Sequence, residues 1–142
     1  TIKLFSLFAV VNNKGDTMDR AETVTVFNDM CVMAPASLVD PRIGWEEVDH
    51  QSVKGIFTSK EITISALLYF NEVGQLINFV SDDRYEVSGP SPLKLRFSTP
   101  MSAYTNIRGF NVPSYGEAIW HYPEGEFVYG KFNLRDIQYN LK

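Results

Sequence analysis

Glu61-Ile62-Thr63-Ile64-Ser65-Ala66-Leu67-Leu68-Tyr69-Phe70 alternates Ile62, Ile64, Ala66, Leu68 and Phe70 with Thr63, Ser65, Leu67 and Tyr69. Successive side chains on a strand point to opposite faces, so one face here is wholly apolar and the other mixed. A strand of that kind belongs in the middle of a sheet. Asn71-Glu72-Val73-Gly74 then supplies a connection of hairpin length with a glycine in it, and residues 75–81 form the returning strand.

Outward from this hairpin the same reading continues. Residues 44–50 and 53–58 are β-prone runs before it; 94–98, 103–107, 111–121 and 126–139 follow, the last two joined by Tyr122-Pro123-Glu124-Gly125. Gly89-Pro90-Ser91-Pro92 is a loop or an edge, and Pro113 places the start of its strand at an edge or bulge, because proline has no N–H for a ladder. In the last run Phe127 and Tyr129 share parity with Lys131 and Arg135, whereas Phe132 and Leu134 lie opposite. A twist, bulge or exit near Leu134 accounts for the mixture.

Upstream, residues 2–11 read as a buried strand, followed by turn chemistry at Asn12-Asn13-Lys14-Gly15-Asp16. Asp19 and Glu22 fit a capping box at a helix start. Val24, Phe27, Cys31 and Ala34 then recur at helical spacing, widened by Val26, Met30 and Met33. Pro35 ends this helix and starts a short turn through Val39. Strands do not alternate with helices, which excludes a parallel α/β sheet. The expected fold is mainly β (α+β): a curved antiparallel sheet of about eight strands packed on one principal helix.

The chain has 142 residues, 44% apolar and 21% charged, a composition that excludes disorder, collagen and a coiled coil for the whole. We expect a single domain over 1–142, the C-terminal part of a longer protein, with any membrane tether in a segment absent from this chain. Net charge is −4 with the acids scattered, which argues against a nucleic-acid partner. Cys31 is the single cysteine and cannot pair within the chain. On the apolar helix face it reads as packing.

Catalytic signals are weak. His50 and His121 are in no metal-binding spacing, and no nucleophile elbow or phosphate-cradling glycine loop occurs, so neither a metal nor a cofactor is expected. Glu46-Glu47 and Asp82-Asp83 are neighbours on strands and therefore point apart. Asp82-Asp83-Arg84-Tyr85 reads as the end of the 75–81 strand with a local ion pair. One enzymatic reading survives, a hydrolase-like cleft using Asp82, Glu117 and His121 with Arg84 steering an anion. Another class is a structural or partner-binding module with an exposed sheet edge or apolar patch.

The ordered series Gly15-Asp16-x-Met18-Asp19-Arg20-x-Glu22, Phe27-x-x-Met30, Ala34-Pro35, Trp45-x-x-Val48-Asp49 and Asp82-Asp83-Arg84 resembles an uncharacterised bacterial family, a domain of unknown function. Tyr104, Gly109, Val112-Pro113, Gly116-Glu117-Ala118, Trp120 and Pro123-x-Gly125-x-Phe127-x-Tyr129 extend the resemblance over nearly the whole chain. The resemblance implies a longer N-terminus, often hydrophobic, and no particular activity. The chain departs from it at Cys31-Val32-Met33-Ala34-Pro35, where members often carry an aromatic, proline-containing segment. In architecture the expected sheet is also similar to bacterial lipoprotein carriers, whose sheet wraps an apolar cavity closed by helices.

The leading functional expectation is a noncatalytic domain that binds an apolar or amphipathic, lipid-like ligand between sheet and helix. Aromatic side chains with a few hydroxyl and indole donors are the makeup of such pockets. Trp45, Tyr104, Trp120, Phe127 and Tyr129 are the expected lining, with Met30 and Met33 as adaptable contacts.

Overall fold

The computed structural model describes residues 16–86 and 90–135. The expected strand over residues 2–11 and the end of the 126–139 run lie outside them. Helix α1 (Asp16–Met33) is followed by a 3₁₀ turn (Pro35–Val39) and eight strands: β1 (Ile43–Asp49), β2 (Ser52–Ser59), β3 (Ile62–Phe70), β4 (Leu76–Glu86), β5 (Leu93–Ser98), β6 (Met101–Ile107), β7 (Phe110–Tyr122) and β8 (Gly125–Asn133). They form one antiparallel sheet in the order β1-β2-β3-β4-β5-β7-β6, with β8 on the other edge of β7. The fold is mainly β with a single principal helix, as the alternating pattern implies.

Strands β5 and β6 pair with β7 in one unbroken register, from Arg96↔His121 to Ile107↔Phe110. They are one long strand interrupted at Thr99-Pro100. There Thr99 and Phe79 exchange both backbone hydrogen bonds, and the Pro100 carbonyl accepts the Glu117 N–H at 3.0 Å. Every strand thus lies beside its sequence neighbour, which keeps each register local and easily found. Pro113 sits where β7 has β6 on one side and β8 has not yet begun, an edge position that tolerates its missing N–H.

The helix begins at Asp16, earlier than the Asp19/Glu22 box implies. Asp19 therefore lies in the first turn, where a carboxylate still complements the positive helix end, and its carbonyl accepts the Thr23 hydroxyl. Residues 27–33 are buried without exception. Phe27 is the anchor, its ring 5.4 Å from Phe57, 5.7 Å from Phe79 and 6.2 Å from Trp45. Gly55 makes the approach possible, since a Cβ there would stand 2.6 Å from the Phe27 ring. The helix packs on β3 and β4 and reaches β7. Strands lie ~4.8 Å apart, so β1 and β7 would be roughly 24 Å apart in a flat sheet, against a helix only ~10 Å across. To bring both to one helix the sheet curls around α1.

Two bulges change which face a side chain occupies. On β4, Ser81 pairs with Phe97 and Arg84 with Leu95, leaving Asp82 and Asp83 opposite the single residue Arg96. The strand therefore does not end at Ser81 as the acidic pair suggests; it runs on to Glu86. Asp83 turns back to accept the Ser65 N–H at 2.8 Å, and Ser81 Oγ donates to the Ser65 carbonyl at 2.7 Å. Side chains thereby replace the β3 ladder where β4 parts from it. On β8 the shift falls at Tyr129, between Val128↔Ile119 and Gly130↔Ala118, not near Leu134. This places Phe127, Tyr129, Phe132 and the buried Leu134 on the helix-facing side and resolves the parity conflict.

Gly116 lies directly under Phe132, and a Cβ there would overlap that ring. Gly116→Ala is expected to cost about 1–3 kcal/mol through overpacking. Much of the loss should return in a Phe132→Leu background, a coupling that a double-mutant cycle by thermal denaturation measures directly.

Candidate functional site

The β4 bulge delivers Arg84 to the inner, helix-facing side, where three aromatic rings surround it. Its guanidinium carbon is 4.2 Å from the Phe97 ring centre, 5.0 Å from that of Trp120 and 5.9 Å from that of Tyr129. Its Nη1 donates to the Tyr129 hydroxyl at 2.8 Å. The rings also meet one another: Trp120 stacks on Tyr129 at 5.8 Å and meets Phe97 edge-on at 5.5 Å. Cation–π attraction and the hydroxyl bond together hold the guanidinium against this wall.

The wall opens outward. Trp120 is 7% exposed, whereas Tyr129 is 43% exposed and Phe127, directly across the strands from Trp120, is 55% exposed. Phe127 meets Tyr122 edge-on at 6.4 Å. Both line a shallow depression at the β7–β8 turn together with Glu124, Gly125 and Glu126.

From the helix side comes Asp29, only 3% exposed, with its Oδ2 unpartnered among the described residues. Burial pushes its carboxyl up to about 7, partly offset by the positive charge of Arg84. Desolvation disfavours the charged form, and one cation without a direct hydrogen bond does not restore it. Arg84 Nε is likewise buried and unpartnered. Burial, with Asp29 adding to it, raises the Cys31 thiol far above its ordinary range, so it is packing and not a nucleophile.

The expected lining residues divide into four places. Trp120, Phe127 and Tyr129 come together as described. Met30 and Met33 are in the core between α1 and the sheet. Trp45 faces the helix from β1, at the far end of the strand order. Tyr104 does not join the lining: it pairs with Pro113 on the face away from α1, and its hydroxyl donates to the Leu76 carbonyl at 2.8 Å.

Asp82, Glu117 and His121 all lie on that outer face, so the sheet stands between them and Arg84. Asp82 takes a two-pronged bond from Arg96 at 2.8 and 3.0 Å, which lowers its pKa, and Glu117 accepts the Tyr115 hydroxyl at 2.7 Å. His121 Nε2 is 2.7 Å from Ser98 Oγ, and its Nδ1 is 3.6 Å from Glu126 Oε1. The sequence holds no hint of this contact. Ser98 is 4% exposed, in a cross-strand row between Val80 and Ile119, so an acyl group has no approach to its oxygen. His50 is exposed at the β1–β2 turn. Among the described residues no group of three His, Cys, Asp or Glu side chains is arranged to hold a metal, and no helix is long and apolar enough to cross a membrane.

Phe97 and Asp29 are the site residues that sequence reasoning missed. Asn28-Asp29 interrupts an otherwise apolar run from Val26 to Met33, and that interruption was the available signal. Arg84 was visible only as a local ion-pair residue beside Asp82-Asp83 or as an anion-steering group in a cleft with Asp82, because without the bulge it shares the parity of Asp82.

No curated protein and no solved structure matches the chain. A family model does, over residues 1–132, nearly the full length. The chain whose inner face carries this aromatic wall belongs to the Family of unknown function (DUF6544).

Proposed function

We propose that the domain is a noncatalytic binder of an apolar or amphipathic, lipid-like ligand, held on the inner face between α1 and strands β5, β7 and β8. The observation that carries this reading is the aromatic wall in which buried Trp120 stacks on half-open Tyr129, with exposed Phe127 directly across the strands from Trp120. Large aromatics left open on a concave face are a site for apolar contact. Arg84 at the foot of the wall supplies the polar handle such pockets use for orientation. A sheet curled around one helix also suits a carrier of the lipoprotein-binding type, an analogy of architecture alone.

Native mass spectrometry of protein purified without detergent tests the reading. A small-molecule adduct is expected on the folded protein and absent after denaturation. Phe127→Ser, on an exposed ring, should weaken retention about tenfold or more while leaving stability unchanged. A clean apo mass, with no uptake of added long-chain alcohol, would overturn it.

A further inference from the structure

The depression at the β7–β8 turn has a chemistry of its own. It encloses about 410 Å³, and Tyr122, Glu124, Gly125, Glu126 and Phe127 line it. The Tyr122 and Phe127 rings stand 6.4 Å apart at an interplanar angle of 63°, so they form two sides of an aromatic corner, and Phe127 is 55% exposed. No lysine or arginine is among the lining residues. Of the two carboxylates, Glu126 leans toward His121 Nδ1 at 3.6 Å, whereas Glu124 makes no hydrogen bond or ion pair among the described residues. The strand register, through Glu86↔Leu93 and Arg96↔His121, puts this turn at the Glu86 end of β4. Basic side chains toward that end are engaged elsewhere: Arg84 by Tyr129 and the rings of the wall, Lys94 by Asp83 at 3.6 Å, and Arg96 by Asp82 at 2.8 Å. Burial, with the negative charges of Glu86 and Glu124 adding to it, raises the Tyr122 hydroxyl, so its ring stays a neutral phenol at neutral pH.

Aromatic rings carry negative charge on their faces, and an uncompensated carboxylate beside them adds to that field. The complement is a cation that also gains from apolar contact. A bare metal ion does not qualify, because it needs several oxygen ligands held together. A trimethylammonium group does, since its methyl groups pack on the rings while its charge is shared with their faces and with the carboxylate. Phe127 belongs both to the aromatic wall and to this corner. An amphiphile whose tail lies along the wall therefore brings its head to Tyr122 and Glu124. We propose that the depression is the headgroup subsite of the groove, and that the ligands it selects are amphiphiles with a quaternary ammonium head of the choline type. This rests on the ligand-binding reading of the adjoining wall.

Dodecyltrimethylammonium and dodecan-1-ol share a tail and differ in the head, so their affinities for the full chain, measured by calorimetry below the concentrations at which they self-associate, test this. The ammonium should bind about tenfold more tightly than the alcohol. Tyr122→Leu, which removes the ring, and Glu124→Gln, which removes the charge, should each cut that ratio about threefold or more. Glu72→Gln makes the same change in net charge at the β3–β4 turn, the opposite end of β4, and should leave the ratio unchanged. Equal or weaker binding of the ammonium while the alcohol binds, a ratio untouched in both Tyr122→Leu and Glu124→Gln, or the same drop in Glu72→Gln would overturn the headgroup subsite and leave the groove standing. If neither probe binds, both fall.

Discussion

Phe27→Ala is expected to lower the unfolding free energy by about 3–5 kcal/mol, the largest single effect in this molecule. The ring is fully buried and touches Phe57 of β2, Phe79 of β4 and Trp45 of β1, so it fastens α1 to three strands at once. Removing it deletes the transfer free energy of the ring and leaves a hole beside Gly55, which has no side chain to fill it. The surrounding rings stand on strands locked by their ladders, so collapse into the hole is limited. A domain of this size is stable by only about 5–15 kcal/mol, so much of the reserve goes. Urea denaturation should show a lower midpoint with an unchanged slope. A loss under about 1 kcal/mol would mean that α1 is held chiefly by something other than this ring.

The second large effect has the opposite sign. Asp29→Asn is expected to stabilise the protein above neutral pH by about 2–4 kcal/mol. The carboxyl titrates near 7 in the fold against an ordinary 3.8. Below about pH 4 both folded and unfolded chains hold the proton, and the site adds no pH dependence. Between about pH 4 and about pH 7 the unfolded chain has released it while the folded chain keeps it, so stability falls as pH rises. Above the folded value both are ionised and the loss is complete. Asparagine does not titrate and lacks that slope. The variant should therefore match the parent near pH 4 and exceed it at pH 8, a difference that urea midpoints at the two pH values read directly. The exposed carboxylates with lowered pKa, Asp40 and Asp49 among them, are common to both proteins and cancel from the comparison. A variant less stable than the parent at pH 8 would mean that the ionised Asp29 is favourably bound in the fold.

The site also shows where reading along the chain runs out. Trp120, Phe127 and Tyr129 were legible as a cluster because they fall on two strands joined by a short turn, and strand alternation nearly puts them on one face. Arg84 was not. Its face depends on the extra residue at Asp82-Asp83, and a single inserted residue reverses the parity of everything after it on the strand. Tyr104 was assigned to the groove for its residue type, whereas the register through Met101↔Gly116 and Tyr104↔Pro113 turns it to the opposite face. His121 was grouped with Asp82 and Glu117 in a hydrolase-like cleft, whereas its contact with Ser98 follows from cross-strand register.

By itself the sequence determined the class of fold: an antiparallel, mainly β chain with one helix, because alternation, hairpin turns and helix signals act over a few residues and need no distant partner. Only the tertiary structure decided what meets what. The curl of the sheet around Phe27 and the two bulges bring Arg84 and the Trp120–Tyr129 pair to one place and bury Asp29 on the helix. Burial then sets the ionisation of Asp29, a property that depends on the solvent excluded by the whole fold and on no local pattern of residues.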